Sequence, residues 1–354
     1  MIFLKFILMF ILCEAIVFLI RFFLRKKEIK LWLDIIITVL EFFLSIVIAL
    51  FVMTSPMKYA WSHFFLFAMY VVTMMDSLGK LITLVVNKIK KQNNKWILNT
   101  IISFCLGVIY LIFGIINMEV VKPKYISINS NKITKEVKIA FISDMHIGSS
   151  QPASVSIKTI NKIKAENPDY IFLGGDIIDG YTKKEDMLQV INTFKDCTAK
   201  VYFIYGNHDP ELNFTLSEYE EALINNNITI VKDEFIKLND ELVLLGRFDH
   251  DLEGRKDVSE LANPYNGYVI VVDHQPFYFE DNCKLGIDLQ LSGHTHAGQL
   301  FPLRMIYGLA VYSYGMYTYE DAILNVSSGA SGWKAPFRTE VGSQYEIITI
   351  KPTN

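Results

Sequence analysis

Hydrophobic positions divide this chain into two unlike halves. Up to about residue 118 they run in long blocks, and beyond it they come in short bursts between polar stretches. Met1 to Ile20, Leu31 to Met53, Trp61 to Val86 and Trp96 to Met118 are nearly unbroken apolar runs. Roughly 20 helical residues cross the hydrocarbon core of a bilayer, so each run is long enough to span it. A region of four transmembrane helices over residues 1–118 is therefore expected. The first run lacks a basic leader and a small-residue cleavage site, which favours an anchor over a removed signal peptide.

The second half has a different rhythm. "VKIAFISD" (137–144), "YIFLGGD" (170–176), "VYFIYGN" (201–207), "ELVLLGR" (241–247), "YVIVVDH" (268–274) and "IDLQLSGH" (287–294) read as buried strands. Residues 154–164 and 184–194 carry helical patterns between the early ones. "VYSYGMYTY", "AILNVSSGAS" and "YEIITIK" then continue the sheet without long helices. This pattern predicts an α/β domain over residues 137–354, built as a two-sheet β-sandwich flanked by helices. Residues 119–136 read as a linker with an edge hairpin.

Composition agrees with a divided chain. The sequence is 51% hydrophobic with a mean hydropathy of +0.29, yet 20% charged. The net charge of −3 gives no reason to expect a nucleic-acid partner, which shows as a basic surface. Cys13, Cys105, Cys197 and Cys283 have no CxxC spacing, and a Cys197–Cys283 bond stays open. Basic residues sharpen the orientation. Arg21, Arg25, Lys26, Lys27 and Lys30 follow the first run, and Lys88, Lys90, Lys91 and Lys95 follow the third. Lys5 and Lys58 are the only basic residues in the N-terminus and in the second connection. Basic loops stay cytoplasmic, so the expectation is a multi-pass protein of the cell membrane with an extracytoplasmic second half. Asp34 and Glu41 inside the second run are costly in lipid, and read either as an interhelical bond or as part of a transport path. Asp76 and Lys80, four apart, suit an ion pair on one helix face.

The candidate chemistry lies at strand ends. Five of the 7 histidines, His146, His208, His274, His294 and His296, follow predicted strands, together with Asp144, Asp176 and Asn207. Singly, such residues cap helices or supply left-handed turns. Together they form a donor set of imidazole and carboxylate that suits two divalent ions, Mn, Zn or Fe ahead of Mg. Two neighbouring cations call for a bridging carboxylate and a hydroxide between them, a pair that activates water and clamps a phosphoryl group.

The blocks "DMH" (144–146), "GGD" (174–176), "GNHD" (206–209), "DHQP" (273–276) and "GHTH" (293–296) appear in an order that resembles the calcineurin-like metallophosphoesterases. "GHTHAGQLFP" and "SSGASGWKAPFR" resemble its membrane-anchored bacterial branch. The resemblance implies a first metal on Asp144, His146 and His296, a second on Asn207, His274 and His294, and Asp176 bridging. It also implies that His208 protonates the leaving oxygen or stabilises the phosphate, oriented by Asp209. Arg247, Arg304 and Arg338 are candidates for the substrate's remaining oxygens. A membrane-anchored phosphohydrolase follows, whether phosphodiesterase, pyrophosphatase or phosphatase, attacking phosphorus with the metal-bridging hydroxide. Anchoring at the bilayer points to a lipid-linked or cell-envelope phosphoester. The alternative is a non-catalytic metal-binding membrane scaffold or sensor on the same fold. The sequence leaves the oligomeric state open.

Overall fold

A computed structural model describes residues 2–24, 31–54, 61–90, 96–309, 311–334 and 337–353. The basic residues Arg25, Lys26, Lys27, Lys30, Lys58, Lys91 and Lys95, and the side chains of Lys5, Arg21, Asp34 and Lys90, lie outside the described set. The chain separates into two compact units. One comprises Met1–Ile116 with Leu300–Leu303 and Lys334–Thr339, and the other the remainder from Asn117.

The first unit holds four helices, α1 (Ile2–Leu24), α2 (Leu31–Thr54), α3 (Trp61–Lys90) and α4 (Trp96–Glu119). Three contain a described stretch long and apolar enough to cross a bilayer: Ile35–Thr54, Phe64–Ile89 and Ile97–Glu119. The described apolar part of α1, Ile7–Ile20, is shorter than that. Glu41 and Lys80 turn out to be partners. The Lys80 ammonium donates to both Glu41 oxygens at 2.6 Å and lies 3.4 Å from Asp76. The Ser103 hydroxyl donates to Asp76 at 3.1 Å. One network thus links α2, α3 and α4, the interhelical reading of Glu41.

The second unit runs β1 (Lys122–Ser130), β2 (Val137–Ile142), α5 (Ala153–Ala165), β3 (Tyr170–Gly174), α6 (Lys184–Ile191), β4 (Lys200–Ile204), α7 (Leu216–Asn225), β5 (Ile228–Ile230), β6 (Glu234–Lys237), β7 (Leu242–Gly246), β8 (Tyr268–Val272), α8 (Phe279–Cys283), β9 (Leu289–Ser292), α9 (Leu303–Tyr307), β10 (Gly315–Tyr319), β11 (Ala322–Val326) and β12 (Gln344–Pro352). Two six-stranded mixed sheets form, in the orders β1-β12-β2-β3-β4-β5 and β10-β11-β9-β8-β7-β6. The expected linker over 119–136 needs correction. β1 pairs in parallel with β12 rather than turning back on β2, so the carboxy-terminal strand sits between them. Alternation in β1 (Ile126, Ile128 and Ser130 buried, their neighbours exposed) shows why: its apolar face belongs to the sheet.

Between the sheets lie Phe141, Phe172, Leu244, Ile270, Leu289 and Leu291. On the outer face of the first sheet, Ile160 and Ile163 of α5, Val190 of α6 and Leu223 of α7 cover Ala140, Ile171 and Leu173. Strands buried on both sides read as continuous apolar runs, which is why β2, β3 and β4 are visible in the sequence. Helix α7 was not. Its start is set by a reciprocal cap, Thr215 accepting from the Glu218 N–H and Glu218 accepting from the Thr215 N–H.

Candidate metal centre

The parallel strands β2, β3 and β4 of one sheet and β8 and β9 of the other deliver every candidate ligand from the loops that follow them. Asp144 and His146 follow β2, Asp176 follows β3, Asn207 and His208 follow β4, His274 follows β8, and His294 and His296 follow β9. The ladder between β2 and β3 continues into these loops, with Asp144 N–H donating to the Gly175 carbonyl and His146 N–H to that of Asp176. The backbone there is strained. Asp144, His146, Asp176, His294 and His296 all have φ between 41° and 69°, left-handed values that non-glycine residues hold only when their surroundings impose them. Close approach also demands glycine. A Cβ on Gly206 would stand 2.2 Å from Asp176 Oδ1, and one on Gly293 would stand 2.3 Å from Asp144 Oδ2.

Two clusters result, Asp144 with His146 and His296, and Asp176 with His274 and His294, the donor atoms of each lying within 4.8 Å of one another. Asp176 Oδ2 faces both clusters, 3.1 Å from His274 Nε2 and 3.9 Å from His146 Nε2. His296 Nε2 is 3.5 Å from Asp144 Oδ1, and Asn207 Oδ1 is 3.0 Å from His294 Nδ1.

The far side of each ring fixes its tautomer. His146 Nδ1 faces Asp179 Oδ2 at 3.1 Å, His274 Nδ1 the Gly174 carbonyl at 2.8 Å, and His296 Nδ1 the Ser331 carbonyl at 3.1 Å. All three partners only accept, so Nδ1 carries the hydrogen and Nε2 of a neutral ring presents a lone pair. The Nε2 atoms of His146 and His274 are buried with no hydrogen-bond partner. A lone pair aimed at a carboxylate oxygen is repulsive unless a cation or a proton sits between them. These residues therefore fit divalent metal ions by donor chemistry and by the orphaned nitrogens alike.

Charge tells the same story. Burial works to lower the His274 pKa, but Asp176 and Asp144 outweigh it and hold it well above the ordinary histidine value. Burial works to raise that of Asp176, and His274 overrides it to leave the carboxyl well below its usual range. Burial, helped by His274, pushes His294 down to about 4. Without a metal, the cluster balances its carboxylates with a proton on His274.

His208 stacks on Trp333, ring centroids 3.9 Å apart, and lies 5.8 Å from the His146 ring. Its Nδ1 is 3.0 Å from a Glu211 oxygen, and its backbone N–H donates to Asp176 Oδ1. The expected orienting contact from Asp209 is not made. Asp209 instead accepts the backbone N–H groups of Gly206, Asp176, Ile177 and Ile178 at 2.7–3.2 Å. Those donors are left over where β3 and β4 end, and a buried carboxylate gathers them.

Arg247 and Arg304 pair with carboxylates outside the ligand set. Arg247 is buried in an ion pair with Asp233 (2.6 Å) and donates to the Lys256 carbonyl. With Arg255 and Tyr278 it lines a separate cavity of about 830 Å³, to which none of the candidate ligands contributes. Arg304 pairs with Glu340 at 3.3 Å. Arg338 is buried in the helical unit, its N–H bonded to the Gly114 carbonyl. Residues that the sequence did not single out complete the site: Asp179 behind His146, and Trp333 across His208 and His146. Asp249 accepts from the Gln275 side chain beside His274, and burial pushes its carboxyl up to about 6. The tryptophan sits alone after a serine- and glycine-rich stretch, and aromatic isolation in such a loop was the available signal.

Residues 137–298 match the family model described as calcineurin-like phosphoesterase. An uncharacterized metallophosphoesterase of Helicobacter pylori is 30% identical over 243 residues, covering 66% of this chain and 65% of that one. This chain therefore spans just under two thirds of that relative. An uncharacterized metallophosphoesterase of Campylobacter jejuni is 28% identical, over 80% of this chain and 79% of its own. A Danio rerio relative named transmembrane protein with metallophosphoesterase domain is 24% identical, over 81% of this chain and 70% of its own.

Proposed function

We propose, because residues 137–298 match the calcineurin-like phosphoesterase model, that this chain is a membrane-embedded phosphohydrolase working with two divalent cations. The observation that carries this reading is the pair of buried, partnerless Nε2 atoms of His146 and His274, both turned toward one Asp176 oxygen. Asp144, His146 and His296 would hold one ion, Asn207, His274 and His294 the other, with Asp176 placed to serve both. When bound, the ions supply Lewis acidity to a phosphoryl oxygen and activate water.

The chain's own residues do the rest. Asp179, Gly174 and Ser331 fix the ring tautomers, so the donors need no reorganisation on binding. His208 stands beside the shared carboxylate with its pKa lowered mainly by burial. It is therefore neutral near pH 7 until an anionic phosphate arrives, which raises its affinity for the proton that it passes to the leaving oxygen. Trp333 keeps the His208 ring in place and covers one side of it. Three apolar helices of spanning length, and relatives with transmembrane names, support an embedded enzyme whose substrate is a lipid-linked or envelope phosphoester. The basic loops support a catalytic domain outside the cytoplasm.

The test is hydrolysis of an aryl phosphodiester, an aryl phosphomonoester and a lipid pyrophosphate by the full chain in detergent with Mn, Zn or Mg. Asp176→Asn is expected to reduce turnover at least about 1000-fold, the scale on which electrostatic groups at a reaction centre act. Equal turnover by wild type and variant overturns the mechanism. A chain that retains metal but hydrolyses none of the three is a scaffold.

A further inference from the structure

Arg247 and Asp233 are buried but lie outside the ligand set, and their bonds define the base of a loop. Asp233 accepts from the Arg247 guanidinium at 2.6 Å, from the Phe248 N–H at 3.1 Å and from the Lys256 N–H at 2.8 Å. The Arg247 guanidinium also donates to the Lys256 carbonyl at 2.9 Å. One ion pair thus fastens both ends of the loop 248–256, which follows β7. The Arg255 guanidinium closes it again by donating to the Phe248 carbonyl.

From that base the loop reaches the residues on either side of His274. Arg255 meets Asp273 as a fork, Nη1 donating to Oδ1 at 3.0 Å and Nη2 to Oδ2 at 2.7 Å. The two side chains are 9% and 0% exposed, and Asn282 Nδ2 donates to the same carboxylate at 3.0 Å. On the other side, Gln275 Nε2 donates to Asp249 Oδ1 and to Asp251 Oδ2, each at 3.0 Å. The His274 carbonyl between them accepts the Gly293 N–H at 2.9 Å, next to His294. A bidentate arginine–carboxylate pair fixes direction as well as distance, so the main chain carrying His274 has little freedom to turn. Asp144 and His146 are held differently, by the ladder that continues into the loop after β3.

We infer that the loop 248–256 is a clamp on one ion of the pair. Arg255 and Gln275 are positioning residues that hold His274 where it shares an ion with Asn207 and His294. The inference rests on the two-cation reading and gives the loop a part in only one of the two sites. A ligand held in place needs no ordering when its metal arrives, and a released one gives up affinity. The outer side of the loop lines the cavity of about 830 Å³, where the Arg255 guanidinium lies 5.2 Å from the centroid of the Tyr278 ring. A small cation can therefore reach the place of the Arg255 side chain once that side chain is removed.

The experiment titrates Mn into the metal-free full chain in detergent and obtains both affinities from the electron paramagnetic resonance signal of unbound Mn. Arg255→Lys keeps the charge and loses the fork. It is expected to weaken one ion by about 10- to 100-fold, the scale of changes behind ligating histidines, and to leave the other at its parent affinity. Gln275→Leu acts in the same direction and keeps the experiment decisive if the Arg255 variants do not fold. In Arg255→Ala, guanidinium added at concentrations that leave the parent folded restores the weakened ion, which a general loosening of the fold would not allow. Parent affinities for both ions in the folded variants, or equal weakening of both, overturn the inference. If the parent binds no metal, the two-cation reading falls and the His274 ring decides. Its nitrogen resonances, recognised by their loss in His274→Gln, move in Arg255→Lys if the clamp positions the ring; unmoved resonances overturn the inference.

Discussion

The two units bury charge in opposite ways. In the helices, Lys80 answers Glu41 and Asp76, and Ser103 answers Asp76 again, so the network closes on itself. In the metal centre, acceptors face acceptors: the Nε2 atoms of His146 and His274 look at Asp176 with no hydrogen between them in the neutral rings. A self-compensated network is architecture, because it asks nothing of the surroundings. An uncompensated one calls for a proton or a cation between the acceptors, and a proton on His274 holds that place until a cation binds. Five positive φ values of non-glycine residues fall along the second network, at Asp144, His146, Asp176, His294 and His296.

The contrast can be broken from either side. The larger stability effect is expected at Asp209, which ties four backbone N–H groups beneath the metal centre. Asp209→Ala should cost about 3–5 kcal/mol by leaving those donors buried and unmet. It should also loosen metal binding, because Asp176 hangs from the same loop. Thermal unfolding of the metal-loaded full chain checks the first part and elemental analysis the second; an unchanged midpoint means that Asp209 is no clamp.

A smaller effect is expected in the helices. Lys80→Met leaves Glu41 and Asp76 facing each other and should cost on the order of 3 kcal/mol. Lys80→Met combined with Glu41→Gln should recover part of that loss, as a closed network requires. Metal content should stay at its parent value in both. If the double variant is no more stable than the single, the network is not a coupled unit.

The sequence exposed the ligands better than their supports. Asp144, Asp176, His274 and the HxH pair end runs of Val, Ile and Leu, and strands buried on both faces are the easiest elements to see. The supports carry no local signature. Asp209 looked like a partner for its neighbour His208, whereas its acceptors serve the ends of β3 and β4, more than thirty residues away in one case. Arg247 looked like a substrate ligand because its pairing with Asp233 depends on how β6 and β7 meet. β1 read as linker because its partner β12 lies at the other end of the chain. Arg338 and Phe337 could not be assigned to the helical unit from pattern, since a six-residue segment has no periodicity to read.

The central claim, that the facing acceptors await two cations, is tested most directly by titrating Mn into the metal-free full chain and counting bound ions by electron paramagnetic resonance across a pH series. Raised above its ordinary value, the His274 pKa gives the metal-free fold a stability that is full below about pH 6.5 and is lost as pH rises through the higher folded value. That same proton must leave when a metal binds, so affinity should strengthen as pH rises. Two ions per chain, spin-coupled, are expected, with one or both lost in Asp176→Asn. No binding at any pH, or two ions retained with equal affinity after Asp176 and His274 are both replaced, would contradict it.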